Sequence, residues 1–548
     1  MRRLSWIIVV LLSFATCAGA GQADSRIINF PSKKSIGMLY VLDASKVDTG
    51  SYDDWELLYE ATRNVTVPAG KALRLNINKE TGEDLSPLSA LAPNDLMVLN
   101  FEGVEITDDQ LRHISHLTGL KELDLSGTNI LGTGLKYLTG LKSLRTLWLS
   151  RSHVGDNELA YLSYFPALKR LELWGTPTND AGMVHVGKIT SLESLSLSRG
   201  VGNEGLMHLK NLISLRSLIV KNPSISDRGI SYLAGMTQME SLQIQVTQIT
   251  NEGLRHIEQM KKLKSLNLIE TRVTEEGLVH IKDLTNLEQL RLNFPLTDVG
   301  LMHLSNLTSL KSLPLGANSI TRQGLYILSE MKSVVEVFIH SERKNGIYNT
   351  DAIVKELAGS LKLKSMFIYG GLTDEGLMHL KNMKSLQILN IWGSRVTGKG
   401  IATLSELQYL NTMSLHGSTL TSKEWEAIGE LSSLEYLDLD YIQSKVTDVD
   451  IAHLSGLTRL KRLTIDTQKL DDDESITCDI TDKSLIHISK LKALEVLHLS
   501  AAKITNEGLQ YLTSLPKLEY VRFDCCEASE QDLKQLKKKL PGLRWHID

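Results

Sequence analysis

Three groups of residues in this 548-residue sequence have types that hold ligands or metals. The first sets aromatic, histidine and acidic residues between aliphatic ones: Phe338, His340, Phe367, Tyr369, Trp392, His416, Tyr436, Asp438 and Asp440, with Trp148 and Trp174 earlier in the chain. In runs such as Val337-Phe338-Ile339-His340 the alternation has period two, which sends the aliphatic members to one face of a strand and the aromatic members to the other. A strip of rings left on a surface is unfavourable in water unless it meets a partner, and aromatic anchors dominate binding energetics. These eleven residues are therefore the expected ligand-binding set. The alternative is that the rings pack only on one another, as cross-strand neighbours do.

The second group is a histidine column, His113, His185, His208, His256, His280, His303, His379, His453 and His487, each two residues after an aliphatic residue of a repeated segment. Tyr137, Tyr161, Tyr232 and Tyr511 occupy the same position, so the expectation is a half-buried amphipathic slot and not a ladder of metal ligands. The third is the acidic stretch Asp471-Asp472-Asp473-Glu474, near Asp479 and Asp482, whose hard oxygens suit calcium. It lacks the glycine-punctuated spacing of a calcium loop, which favours a solvated loop. Neither short-spaced zinc pairs, nor a phosphate-cradling loop, nor a nucleophile elbow occurs, so no catalytic residue, metal or cofactor is expected.

The elements that carry these residues repeat. Leu120, Leu144, Leu168 and Leu192 open successive blocks 24 residues apart, and Leu263 and Leu287 continue the pattern. A block such as LKELDLSGTNILGTGLKYLTG begins with a strand-like L-x-x-L-x-L. It then passes to a helix-like segment, as in Thr373-Asp374-Glu375-Gly376-Leu377, where threonine is placed to cap the helix and the acids favour its dipole. A fixed period of this length means a solenoid, because one coil buries its leucines only against its neighbours. A further polar column, including Thr128, Ser152, Thr176, Thr247, Thr271, Asn318, Ser394, Ser418, Cys478 and Cys526, is expected to hydrogen-bond the buried turns as a ladder. Cys478 and Cys526 fall two coils apart, too far for a disulfide, and with Cys525 they read as thiols.

The pattern L-x-x-L-x-L-x-x-(T/N/C)-x-(I/V)-T-(D/N)-x-G-L resembles leucine-rich repeats, specifically the cysteine-containing type of F-box-associated proteins and their secreted bacterial relatives. The resemblance covers about residues 73–548, although threonine or serine usually stands for the cysteine and no F-box-like segment precedes the array. It implies an α/β leucine-rich-repeat solenoid, a curved horseshoe with a parallel sheet on the concave face and short helices on the convex face. A ligand-binding scaffold is implied with it; an adaptor role in protein degradation is not.

Residues 1–20 read as a secretory signal: Arg2 and Arg3, an apolar run too short to span a bilayer, then Ala18-Gly19-Ala20. Cys17 offers a lipid-attachment site, but Phe14-Ala15-Thr16 departs from the residue pattern that lipid attachment follows. Residues 21–81 are expected to form a small β-rich module shielding the first coil, 82–531 the solenoid, and 532–548 a lysine-rich capping helix with a last strand. Register breaks at 341–350, 441–445 and 466–479 are expected to project as loops. A net charge of −4 lends no support to nucleic-acid binding, and no later apolar run is long enough to cross a membrane. The expected function is a non-enzymatic scaffold, secreted or in the periplasm or cell envelope, that binds a protein or glycan on its concave face. The alternative is a structural or adhesion protein of the cell envelope.

Overall fold

The computed structural model describes residues 25–30, 34–47, 54–82, 84–341, 350–360, 362–466, 479–500, 502–524 and 529–547. The expected signal segment with Cys17, the acidic stretch 471–474, and Cys478, Cys525 and Cys526 lie outside these residues, as do most of the breaks at 341–350 and 466–479. The chain divides into two compact units, Met1–Thr247 and Gln248–Asp548.

The first unit begins with a β-rich module. Strand Gly37–Asp43 pairs antiparallel with both Glu56–Glu60 and Lys71–Ile77, and Arg26–Asn29 pairs antiparallel with Asn64–Val67. Lys71–Ile77 also runs parallel to Val98–Asn100, so the last strand of the module is the first strand of the repeat array. From there one short parallel strand follows another through Glu122–Asp124, Thr146–Trp148, Arg170–Glu172, Ser194–Ser196, Ser217–Lys221 and Ser241–Gln245. Leu99, Leu123, Leu147, Leu171, Leu195, Leu218 and Leu242 face one another in register, all but excluded from solvent. Each such burial contributes about 1.5–3 kcal/mol. The antiparallel strands of the module cover the edge that an open parallel sheet would otherwise expose.

The second unit repeats the plan. Ser265–Asn267 pairs with Gln289–Arg291, and a sheet of ten parallel strands runs in chain order from Ser312–Gly316 to Arg544–Ile547. Its end is closed by helix Glu530–Lys539, capped by Ser529 and anchored through buried Leu533 and Leu536.

The return segments are short helices, several of them tight 3-10 turns, as at Asp108–Ile114 and Glu158–Tyr164. Threonine caps them as expected: the Thr373 hydroxyl accepts from the Glu375 N–H at 3.2 Å. The acid after the threonine does something the sequence reading did not foresee. Asp351 accepts from both the N–H and the hydroxyl of Thr373, at 2.9 and 2.5 Å, and Asp374 does the same for Thr397, at 2.7 and 2.6 Å. In these coils one helix start holds the cap of the next, whereas Thr421 and Thr447 are held by Glu424 and Asp450 of their own helices. The glycine three residues after Thr373 makes room for the link, since a Cβ on Gly376 would stand 2.3 Å from Asp351 Oδ1. Where serine replaces glycine, at fully buried Ser484, its hydroxyl instead donates to Asp448 at 2.6 Å.

Part of the polar column bonds the buried turn backbone as expected. Thr128, Ser152, Thr176 and Thr271 each donate to the carbonyl three residues earlier, at 2.6–2.8 Å, closing the turn of their own coil. These four fasten coils individually, whereas the Thr247, Ser394 and Ser418 hydroxyls are buried with no hydrogen-bond partner; the acid–threonine pairs link one coil to the next. The nine histidines of the helix column are all half-buried. His113 meets Ser89 at 2.9 Å and His280 meets Glu258 at 2.6 Å, one coil earlier in each case.

Candidate functional site

In the second unit the strand pairing sorts the expected site residues into columns. Val337, Ile339, Met366, Ile368, Leu389, Ile391, Met413, Leu415, Leu437 and Leu439 point into the core. On the opposite face, in-register pairing places Phe338, Phe367, Asn390, Ser414 and Asp438 in one column. His340, Tyr369, Trp392 and His416 form the next. Tyr436 belongs to a third column, opposite Thr412, and does not join the stack.

The strand spacing of about 4.8 Å is close to the contact distance of stacked rings. Phe338 and Phe367 stack with centroids 4.6 Å apart, His340 and Tyr369 at 4.7 Å, and Trp392 and His416 at 4.0 Å. Tyr369 and Trp392 tilt against each other at 6.2 Å. The mutual packing is real, yet it leaves Trp392 38% and Tyr436 41% exposed. Sequence reasoning missed Tyr441, 42% exposed, whose ring lies 6.5 Å from Trp392. Its backbone has φ +59°, at the position where the two preceding coils use Gly393 and Gly417 with φ +59° and +63°. Arg151, Val246 and Glu270 take the same left-handed conformation at the equivalent position, so it belongs to the turn of the coil.

One end of the column is polar. His416 is 5% exposed, and the chain continues past Asp438 to Asp440, whose carbonyl accepts from the Gly417 N–H at 3.2 Å. One nitrogen of His416 and one oxygen from each of Asp438 and Asp440 lie within 4.8 Å of one another, the only such group of three metal-ligating side chains among the described residues. No short-spaced ligand motif announces it, and the expectation that no residues would gather for a metal did not anticipate it. Burial pushes the Asp440 carboxyl up to about 6, reinforced by the charge of Asp438 and a hydrogen bond with it, and opposed by His416. Burial also raises Asp438, against the hydrogen bond from Asp440 and the charges of Arg462 and His498. Burial lowers His416, with Asp440 acting in the opposite sense, lowers His340, and raises the Tyr369 hydroxyl.

In the first unit Trp148 and Trp174 are separated. Trp148 pairs with Glu172 and lines a groove of ≈ 460 Å³, together with Trp55 of the β-rich module and the charged residues Arg74, Glu122, Asp124 and Arg170. Burial raises the carboxyl of Asp124, against hydrogen bonds from Ser126. Trp174 lies two positions beyond Glu172 and instead takes the Arg151 guanidinium over its ring at 4.8 Å. The contribution of Trp55 was not visible in the sequence, because the module has no repeat register from which to place it.

No protein-family model matches the chain, and no curated protein matches it. Among solved structures, an internalin from Listeria monocytogenes is similar, at 21% identity and a TM-score of 0.35, covering 69% of this chain and 88% of its own. A leucine-rich-repeat protein from Leptospira interrogans is 17% identical, with a TM-score of 0.36 and coverage of 85% and 97%. The complex of TLR13 with an RNA is 19% identical, with a TM-score of 0.43 and coverage of 87% and 64%. Likeness at this level carries nothing about ligands. In the chain's own coils, buried leucine columns alternate with capped short helices in both units: it folds as a leucine-rich-repeat solenoid with a small β-rich module at its N-terminal end.

Proposed function

We propose that this protein is a non-enzymatic scaffold, working outside the cytoplasm, that captures a protein or glycan ligand on the open face of its second-unit sheet. The observation that carries this reading is the column His340, Tyr369, Trp392 and His416, flanked by the stacked Phe338 and Phe367, in which Trp392 stays 38% exposed above the buried His416. Rigid rings held by cross-strand stacking lose little entropy on binding, and the exposed part of Trp392 offers apolar area to a sugar or an aromatic side chain. Tyr436, Asp438 and Asp440 supply the polar edge of the same surface, and Trp148 and Trp174 are proposed as further contacts in the first unit. The setting outside the cytoplasm is supported by the signal-like residues 1–20. Among the described residues no helix is long and apolar enough to cross a membrane.

The test is a screen of immobilised oligosaccharides and peptides with wild-type protein and with the double variant Tyr369→Ala, Trp392→Ala. The wild type is expected to retain a discrete ligand class, and the variant to bind it at least tenfold more weakly with an unchanged circular dichroism spectrum. Undiminished binding by the folded variant refutes the placement.

A further inference from the structure

His416 closes the strand Thr412–His416 with its imidazole beneath the indole of Trp392, 4.0 Å away between ring centres. That stacking leaves the residue 5% exposed, and its Nδ1 is buried without a hydrogen-bond partner. One oxygen of each neighbouring carboxyl, Asp438 Oδ1 and Asp440 Oδ1, is likewise buried without a partner, whatever hydrogen bond the two carboxyls share through their other oxygens. Buried polar atoms are paired in the great majority of cases, and an orphaned cluster of three calls for a specific explanation. The side chains that carry these atoms each bring one ligand atom within 4.8 Å of the other two.

We propose that His416, Asp438 and Asp440 bind one divalent transition-metal ion, through one imidazole nitrogen and one oxygen of each carboxyl. A divalent ion satisfies all three groups together, because it accepts lone pairs from imidazole and carboxylate alike and offsets the two negative charges. Ligand atoms about 2.0–2.2 Å from a shared ion lie roughly 3–4 Å apart. The imidazole selects zinc, manganese and their neighbours over magnesium and calcium, which prefer oxygen alone. Three protein ligands leave coordination positions open to water or to a donor atom of a bound molecule. His416, Asp438 and Asp440 also belong to the proposed ligand surface, so the metal is titrated with no ligand present, and its failure leaves capture by Tyr369 and Trp392 to be judged by its own test.

The experiment uses the tag-free full chain, stripped with chelator and titrated calorimetrically with zinc chloride and manganese chloride. One equivalent of at least one metal is expected to bind. His416→Gln, Asp438→Asn and Asp440→Asn should each weaken binding by more than the roughly 10–100-fold that changes around a metal's ligands produce. Cobalt or nickel ions should quench the fluorescence of Trp392 in the wild type and not in Asp440→Asn. Circular dichroism identifies any variant that has lost its fold, and the near-isosteric asparagine variants then decide. Absence of binding by the wild type, or one-equivalent binding retained in the folded Asp438→Asn and Asp440→Asn proteins, overturns the proposal.

Discussion

Asp448→Asn tests whether the links between coils hold the fold. Asp448 accepts from the Thr481 N–H at 2.8 Å, from the Thr481 hydroxyl at 2.6 Å and from the Ser484 hydroxyl at 2.6 Å, so one carboxylate fastens the helix start of the following coil. Hydrogen bonds to a charged group contribute about 1.5–3 kcal/mol each, but neighbouring bonds are not additive and Asp448 is half-exposed. Asparagine keeps one acceptor oxygen and turns an amide donor toward a hydroxyl that then has to reorient. A loss of about 2 kcal/mol at pH 7 is expected, read as a lower urea midpoint at unchanged slope. The pH dependence gives a second reading. Burial alone would raise the Asp448 pKa, yet the hydrogen bonds from Ser484 and Thr481 outweigh it and hold the carboxyl below its ordinary 3.8. A carboxyl depressed in the folded state stabilises fully above the ordinary value and loses that contribution as pH falls through the folded one. The gap between wild type and variant should therefore be constant from pH 7 to about 5 and shrink below about pH 4. Equal midpoints at pH 7, or a gap that persists undiminished at pH 3, would refute the reasoning.

Three further predictions address the same architecture. Gly508→Ala places a Cβ 2.0 Å from Asp482 Oδ1 and should destabilise by about 1–3 kcal/mol in thermal unfolding, whereas Gly235→Ala, with nothing within 4 Å, should stay within about 0.5 kcal/mol. Thr373→Val removes both the helix cap and the donor to Asp351 and should lower stability by about 1–2 kcal/mol, with faster amide exchange at Glu375 as the local signature. Leu266→Ala empties a fully buried position between coils and should lower stability by about 2–5 kcal/mol in chemical denaturation; an unchanged midpoint would contradict its burial.

The fold was legible because one physical requirement recurs in every coil. Period-two aliphatics must face a shared core, so Leu123, Leu147 and Leu171 announce both strand and stacking direction, and the threonine before each helix announces its start. The aspartate after that threonine reads locally as a dipole partner, which it is, but its carboxylate is claimed by the next coil. The glycine of the motif is the trace of that claim, intelligible only once Asp351 is seen beside Gly376. The rings were correctly sent to one face by alternation, whereas their division into columns depends on register. Trp148 and Trp174 occupy different places in their coils and part company, while Tyr369 and Trp392 occupy equivalent ones and meet.

The same consideration explains why the cluster at His416 escaped a search for metal motifs. In a helix, ligands converge at spacings of three or four residues, and zinc signatures are recognised by such short intervals. In a stack of parallel coils the interval that brings side chains together is one whole period, because residues about 24 apart stand one strand spacing of about 4.8 Å apart. His416 and Asp440 are separated by one coil in this sense, and Asp438 joins them because alternate residues of a strand share a face. A histidine and a carboxylate one period apart, with a second carboxylate two residues away, is then the form a metal motif takes in this fold. The expectation that a site would show as a compact local pattern was borrowed from architectures whose contacts are local, and in this chain the coil length sets the spacing.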